Sequence, residues 1–259
     1  MWLATIAIAG CNNTSDKAQK VTPGLAAEQS LVAAVKEYPD SSILVENLAQ
    51  FYRENNRYDD AIAAVNDALK QDSTNARYWD IKATLQFEKA DTLAAIRSFE
   101  RSIDINPQPD VVISLGVIYA QTKNPMALAM ADGLAMANSA GAEKEALFIK
   151  GLYYSYINEK KKAITFFNEC IKLSFTFMEA YREKAIALYD LGEYESAIDV
   201  LNKAVTLQNN YDEGYYYLGR CLQKLDRKKE AIDMYQRALL YDPNYIEAKQ
   251  ALSELGVKS

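Results

Sequence analysis

Histidine does not occur anywhere in this 259-residue chain. Its absence removes the side chain that most often moves protons near neutral pH and the commonest metal ligand. Cysteine is nearly as scarce. Cys11, Cys170 and Cys221 are too few and too widely spaced for a zinc pattern or a disulfide framework, and leave only a single 170–221 bridge open. No apolar run reaches the roughly 20 residues that a membrane-spanning helix needs. Positive charge is in deficit too. Lys and Arg number 29 against 35 Asp and Glu, a net charge of −6, which argues against phosphate backbones, whose binding needs clustered cations to release counterions. The carboxylates are scattered over solvated helix faces and form no catalytic constellation. These gaps predict no metal, no cofactor, no nucleic-acid partner, no small-molecule substrate and no enzymatic activity. What is present, 49% hydrophobic and 25% charged residues, is a composition able to bury a core.

The chain opens Met-Trp-Leu-Ala-Thr-Ile-Ala-Ile-Ala-Gly-Cys, apolar, uncharged and ending in small residues before Cys11. Small residues ahead of a cleavage point suit a signal peptidase, so residues 1–10 read as an export signal outside the fold. Ile8-Ala9-Gly10-Cys11 resembles the bacterial lipobox, with one departure: no charged residue precedes Asp16. The resemblance implies lipid on Cys11, a membrane anchor in the cell envelope and, with Asn12 following, the outer membrane of a Gram-negative cell on its periplasmic or surface face. Residues 11–25, polar and punctuated by Pro23-Gly24, read as a flexible tether.

Internal repetition decides the architecture. Ala27, Ala61, Ala95, Ala129, Ala163, Ala197 and Ala231 are spaced by 34 residues. Most begin a run with steps of four and three, such as Ala61, Val65, Ala68 or Ala231, Tyr235, Ala238, which places three residues on one helix face. A dozen or so residues upstream lies a second helical pattern with a small residue before a large one, as in Leu48-Ala49 before Tyr52 and Leu218-Gly219 before Leu222. Polar breaks between the two, such as Asn55-Asn56 and Asp226-Arg227, are short enough for turns of a helix hairpin. Pro39, Pro107 and Pro243 share one phase just past the second helix, where proline stops it.

A 34-residue helix–turn–helix with Tyr215, Leu218, Gly219, Ala231, Tyr235, Ala238 and Pro243 in order resembles the tetratricopeptide repeat. The resemblance implies an all-α fold, a right-handed α-solenoid of six helix pairs at 42–75, 76–109, 110–143, 144–177, 178–211 and 212–245. An N-terminal capping helix at 26–41 and a C-terminal one at 246–259 complete it. The third repeat departs most, with Leu115-Gly116 one residue early, Pro125 in the turn, and Gly133 and Gly141 where a bulky residue and a proline are expected. A local distortion is expected there. Small residues at each crossing let two helices approach, aromatics fill the gap to the next pair, and stacking supplies the core that no pair has alone.

In such a solenoid the first helix of each pair lines the concave surface. That places Phe87, Ile113, Val117, Phe148, Tyr156, Arg182, Tyr189, Tyr216, Tyr217, Arg220 and Lys224 in a candidate protein-binding groove, rich in the aromatic and Arg types that carry interface energy. The competing reading of each apolar position is packing between helices. Acidic residues fall early on this surface (Glu46, Glu54, Asp80, Glu88) and basic ones late, a polarity that would orient an extended peptide with its acidic end toward the carboxyl-terminal repeats. The Lys and Asn pairing of the family's carboxylate clamp is missing. Cys170, in the phase of Ala68 and Ala204, reads as a small buried hydrophobe, and Cys221, beside Arg220, reads as structural, with an Arg neighbour able to lower its pKa.

The function implied is a membrane-anchored scaffold binding a protein or peptide partner in its groove. The alternatives are a pilotin-like assembly factor for a type IV pilus or secretin, and a regulator or subunit of an envelope enzyme.

Overall fold

The computed structural model describes residues 23–137 and 142–257, which fold into fourteen α-helices with no strand among them. The expected signal peptide, Cys11 and most of the expected tether lie outside these residues. The chain divides into two units. The first, ending at Gln71, contains α1 (Pro23–Glu37), α2 (Ser42–Glu54) and α3 (Tyr58–Gln71). The second contains five hairpins: α4 (Ala76–Glu88) with α5 (Thr92–Ile105), α6 (Pro109–Gln121) with α7 (Met126–Met136), α8 (Ala142–Tyr156) with α9 (Lys160–Leu173), α10 (Met178–Asp190) with α11 (Tyr194–Leu207), and α12 (Asp212–Lys224) with α13 (Lys228–Tyr241). A last helix, α14 (Ile246–Glu254), follows. Helix α1 starts at Pro23, inside the stretch read as tether, because proline at the first helical position gives up only an N–H that has no helical partner.

Each hairpin turns in the same way. Two residues past each first helix stands a residue in the left-handed region: Asn56, Ala90, Lys123, Asn158, Gly192 and Asp226. The next N–H donates to the carbonyl five residues back at 2.8–2.9 Å, from Arg57 to Tyr52 through to Arg227 to Leu222, which satisfies carbonyls the helix end would orphan. Gly192 adopts this conformation freely, while Ala90 and Lys123 pay roughly 1–2 kcal/mol for their Cβ.

The rings of the second helices lie on the small residues of their own pair, where the expectation puts them in the gap to the next pair. A Cβ on Gly219 of α12 would sit 2.6 Å from Cε1 of Tyr235 on α13, and one on Gly151 of α8 would sit 2.5 Å from Cε1 of Phe167 on α9. Only hydrogen allows these rings to lie flat on the helix backbone. The buried second-helix triads are Ala61/Val65/Ala68, Ala95/Phe99/Ser102, Ala163/Phe167/Cys170, Ala197/Leu201/Ala204 and Ala231/Tyr235/Ala238. Where the third member is polar it bonds within its own pair: Ser102 Oγ donates to the Ala76 carbonyl at 2.8 Å, and the Cys170 thiol to the Lys144 carbonyl at 3.3 Å.

The unbroken alanine register does not survive. Ala129 is exposed, and in α7 the buried triad is Ala127/Ala131/Leu134, two residues earlier than the 34-residue step requires. The slip builds up in stages. Gly116 is already one residue early against Gly151, and the turn residue Lys123 one early against Asn158. The expected distortion of the third repeat is thus a change of phase. In the shifted phase the small Ala131 stands where other pairs carry Val, Leu or an aromatic. With no ring from α7 to meet it, Gly116 packs on Ile149 of α8, 2.8 Å from its hypothetical Cβ. Ala27 on α1 is exposed as well.

In the first unit, Glu28 of α1 accepts from Arg57 at 2.7 Å and from the Tyr52 hydroxyl at 3.1 Å, while the Arg57 guanidinium lies 4.5 Å over the Tyr52 ring. The hydrogen bond from Arg57 holds the Glu28 carboxyl below its usual value.

Candidate interaction surface

The first helices of the later hairpins, α8, α10 and α12, lie side by side, and α14 continues the row in the phase of a first helix. Their common face is the surface the sequence reading singles out. Phe87 is 38% exposed and Tyr156 41%. Ile113 and Val117 on α6 are partly buried against the core around Leu115, and so pack between helices. Phe148 does the same, with ring centroids 5.9 Å from Phe167 and 5.1 Å from Phe177. The remaining candidates gather on α10 and α12, where they form two neighbouring clusters of different character.

The first centres on Arg182 of α10. Its Nη1 donates to Glu213 at 2.6 Å and its Nε to neighbouring Glu183 at 3.2 Å. The Tyr211 hydroxyl adds a 3.4 Å bond to Glu213. Burial pushes the Glu183 carboxyl above its usual value, and the Arg182 charge opposes that rise. Tyr156 and Tyr217 border the group, and burial, reinforced by the Glu183 charge, raises both phenols. Arg182 is therefore engaged inside the protein and does not offer the free positive charge that the sequence suggests.

The second cluster centres on Arg220 of α12. Its guanidinium lies 4.6 Å from the Tyr189 centroid, 5.7 Å from Tyr217 and 6.0 Å from Tyr216, and it makes no ion pair among the described residues. Tyr216 is fixed by rings on two further elements, 5.9 Å from Tyr235 and 4.9 Å from Tyr245. Beside this cage lies a cleft of about 390 Å³, floored by Tyr235, whose hydroxyl donates to Gln223 at 2.8 Å. Arg220 and Lys224 stand on its α12 wall, and Glu247, Gln250 and Glu254 on its α14 wall. Steps of 34 from Glu213, Tyr216 and Arg220 lead to Glu247, Gln250 and Glu254, so the expected capping helix also carries the pattern of a first helix. The carboxyl-terminal end of the face is therefore not uniformly basic.

A broader hollow of about 650 Å³ lies between α10 and α11 against Phe175, Tyr181 and Leu207, away from these charged walls. Cys170 and Cys221 are both buried free thiols. Burial pushes each up to about 12, and for Cys221 it outweighs the lowering effect of Arg220. Among the described residues no His, Cys, Asp and Glu group of three or more is placed to hold a metal ion, and no helix is long and apolar enough to cross a membrane.

Models of the tetratricopeptide repeat match residues 25–85, 144–177 and 188–255, together more than half of the chain. Solved structures agree on the fold. A tetratricopeptide repeat protein from Parabacteroides merdae superposes with a TM-score of 0.75 at 20% identity, covering 90% of this chain and 92% of that one. PilW, a type IV pilus biogenesis factor, gives 0.64 at 19% identity, with 82% and 98% covered. The hetero-tetramer of Cut9 and Hcn1 from the APC/C gives 0.60 at 17%, covering 91% of this chain and 46% of that one. A search of curated proteins finds no match. The matched repeats and the helix pairs together make this chain a member of the tetratricopeptide repeat family.

Proposed function

We propose that this chain is a protein-interaction module that takes a peptide or protein segment on the first-helix face between α10 and α14, held at the envelope of a Gram-negative cell, in the outer membrane, by lipid on Cys11. The observation that carries the binding reading is the cleft beside Arg220, an open hollow walled by tyrosines and by charges that form no ion pair among the described residues. Rigid aromatic rings and Arg are the residue types that anchor partners, and here neighbouring rings fix them before any partner arrives. The anchor reading rests on Ile8-Ala9-Gly10-Cys11. Two acyl chains on such a cysteine suffice for stable attachment, where one gives marginal binding.

A second reading, an assembly factor for a type IV pilus or secretin, takes support from the likeness to PilW over 82% of this chain and 98% of that one. At 19% identity that likeness carries the fold alone. Crosslinked capture from the native cell separates these readings by naming the partner. Tyr189→Ala with Tyr216→Ala is expected to lose the partners that wild type and an Asp233→Ala control both retain. Equal capture by all three proteins would refute the binding face. For the anchor, Cys11→Ser is expected to move the protein out of the membrane fraction and abolish fatty-acid labelling; unchanged behaviour would refute it.

A further inference from the structure

We propose that the cleft between α12 and α14 is a bipolar subsite for an extended peptide in which an acidic and a basic residue stand side by side, the carboxylate meeting Arg220 and Lys224, the cation meeting Glu247 and Glu254. This rests on the reading of the first-helix face as the binding surface and specifies what that surface recognises.

Three observations carry it. Arg220 is half-buried under three tyrosine rings at 4.6–6.0 Å and has no acidic partner among the described residues. Arg182, on the preceding first helix, is closed off by Glu213 and Glu183. A guanidinium that is already oriented and partly dehydrated gains charge-assisted, bidentate hydrogen bonds from an incoming carboxylate with little further loss of rotamer freedom. Lys224, four residues on, lies on the same side of α12 and lines the same cleft.

Next, the facing wall carries the opposite sign. Glu247 and Glu254 are seven residues apart, two turns along one face of α14, and neither forms an ion pair among the described residues. A purely acidic ligand would meet repulsion there, and a purely basic one would meet it at Arg220 and Lys224. Gln223 and Gln250, one on each wall, supply donors and acceptors for a peptide backbone.

The third observation is geometric. In an extended chain successive side chains point to opposite faces, so neighbouring residues of opposite charge address opposite walls at once. The two charges must be adjacent, or an odd number of residues apart, because two residues apart they would point to the same wall. Tyr235 closes the floor and the cleft opens to solvent, which suits a segment of a longer chain running through it.

The test uses the protein from residue 12 onward and four acetylated, amidated hexapeptides, Gly-Ser-X-Z-Ser-Gly, with X-Z as Glu-Lys, Glu-Gln, Gln-Lys or Gln-Gln, titrated calorimetrically at low salt. Glu-Lys is expected to bind at least about tenfold more tightly than Gln-Gln, with the single-charge peptides between. Arg220→Gln with Lys224→Gln should erase the preference for Glu over Gln at X while leaving the preference for Lys at Z. Glu247→Gln with Glu254→Gln should do the reverse, and unchanged far-ultraviolet dichroism shows that each variant is folded. Equal binding of all four peptides, lost on Tyr216→Ala, would overturn the bipolar subsite and keep the face as a binding surface. No heat with any peptide, together with Tyr216-independent capture from cells, would overturn both.

Discussion

Arg182 and Arg220 lie on adjacent first helices of one face, and the protein treats them in opposite ways. Around Arg182, carboxylates from its own helix and the next neutralise the guanidinium, and Tyr211 completes the set. Around Arg220 there are rings in place of anions, which orient the charge without neutralising it. The first arrangement links α10 to α12 and spends its polarity internally. The second leaves polarity directed at solvent, at the point where α14 supplies a wall of opposite sign. An arginine on a binding face is informative only once its partners are known.

The largest effect that sharpens this contrast comes from the cleft floor. Tyr235 is almost wholly buried against Gly219 and bonds Gln223, so Tyr235→Ala is expected to cost about 3–5 kcal/mol in urea unfolding, as large-to-small core changes do. A loss under about 1 kcal/mol would mean that the floor is not part of the core.

The two arginines then separate by stability. Arg182→Gln leaves Glu183 charged and partly buried without its guanidinium, which is expected to cost about 1–3 kcal/mol at pH 7. Arg220→Gln strands no anion and should stay within about 0.5 kcal/mol. The pH dependence has a definite sign. Burial holds the folded Glu183 carboxyl above its usual value, so the folded state binds this proton more tightly than the unfolded chain. Lowering the pH from 7 through the raised value toward 4.5 therefore relieves the buried charge. Without Arg182 the value rises further, and part of the loss should return by pH 5. An Arg182→Gln variant that weakens further on the same descent would break the comparison.

The repeat was legible because its signal is redundant: small residues at crossings, aromatics in the gaps and polar turns all recur at one spacing. The phase of α7 was not, because Ala127, Ala129 and Ala131 stand two apart and residue identity cannot tell which of them faces inward. A third contrast in stability tests the phase. Ala127→Leu should cost about 1–3 kcal/mol by overpacking, whereas Ala129→Leu should stay within about 0.5 kcal/mol; the reverse order would restore the strict register. The pairing of Arg182 with Glu213 was equally hidden, since it joins residues in successive repeats through a geometry that charge counting does not contain. Glu247 and Glu254 are legible by the same 34-residue step, which carries Glu213 and Arg220 onto α14.

The most direct measurement follows the arginine side chains themselves. In protein labelled with nitrogen-15, the Nε–H resonances of Arg182 and Arg220 are observed while the Glu-Lys hexapeptide is added. The Arg220 signal is predicted to shift progressively to saturation while that of Arg182 stays in place. Movement of Arg182 with Arg220 unmoved, or the absence of movement in both at saturating peptide, would contradict the distinction between a closed and an open arginine.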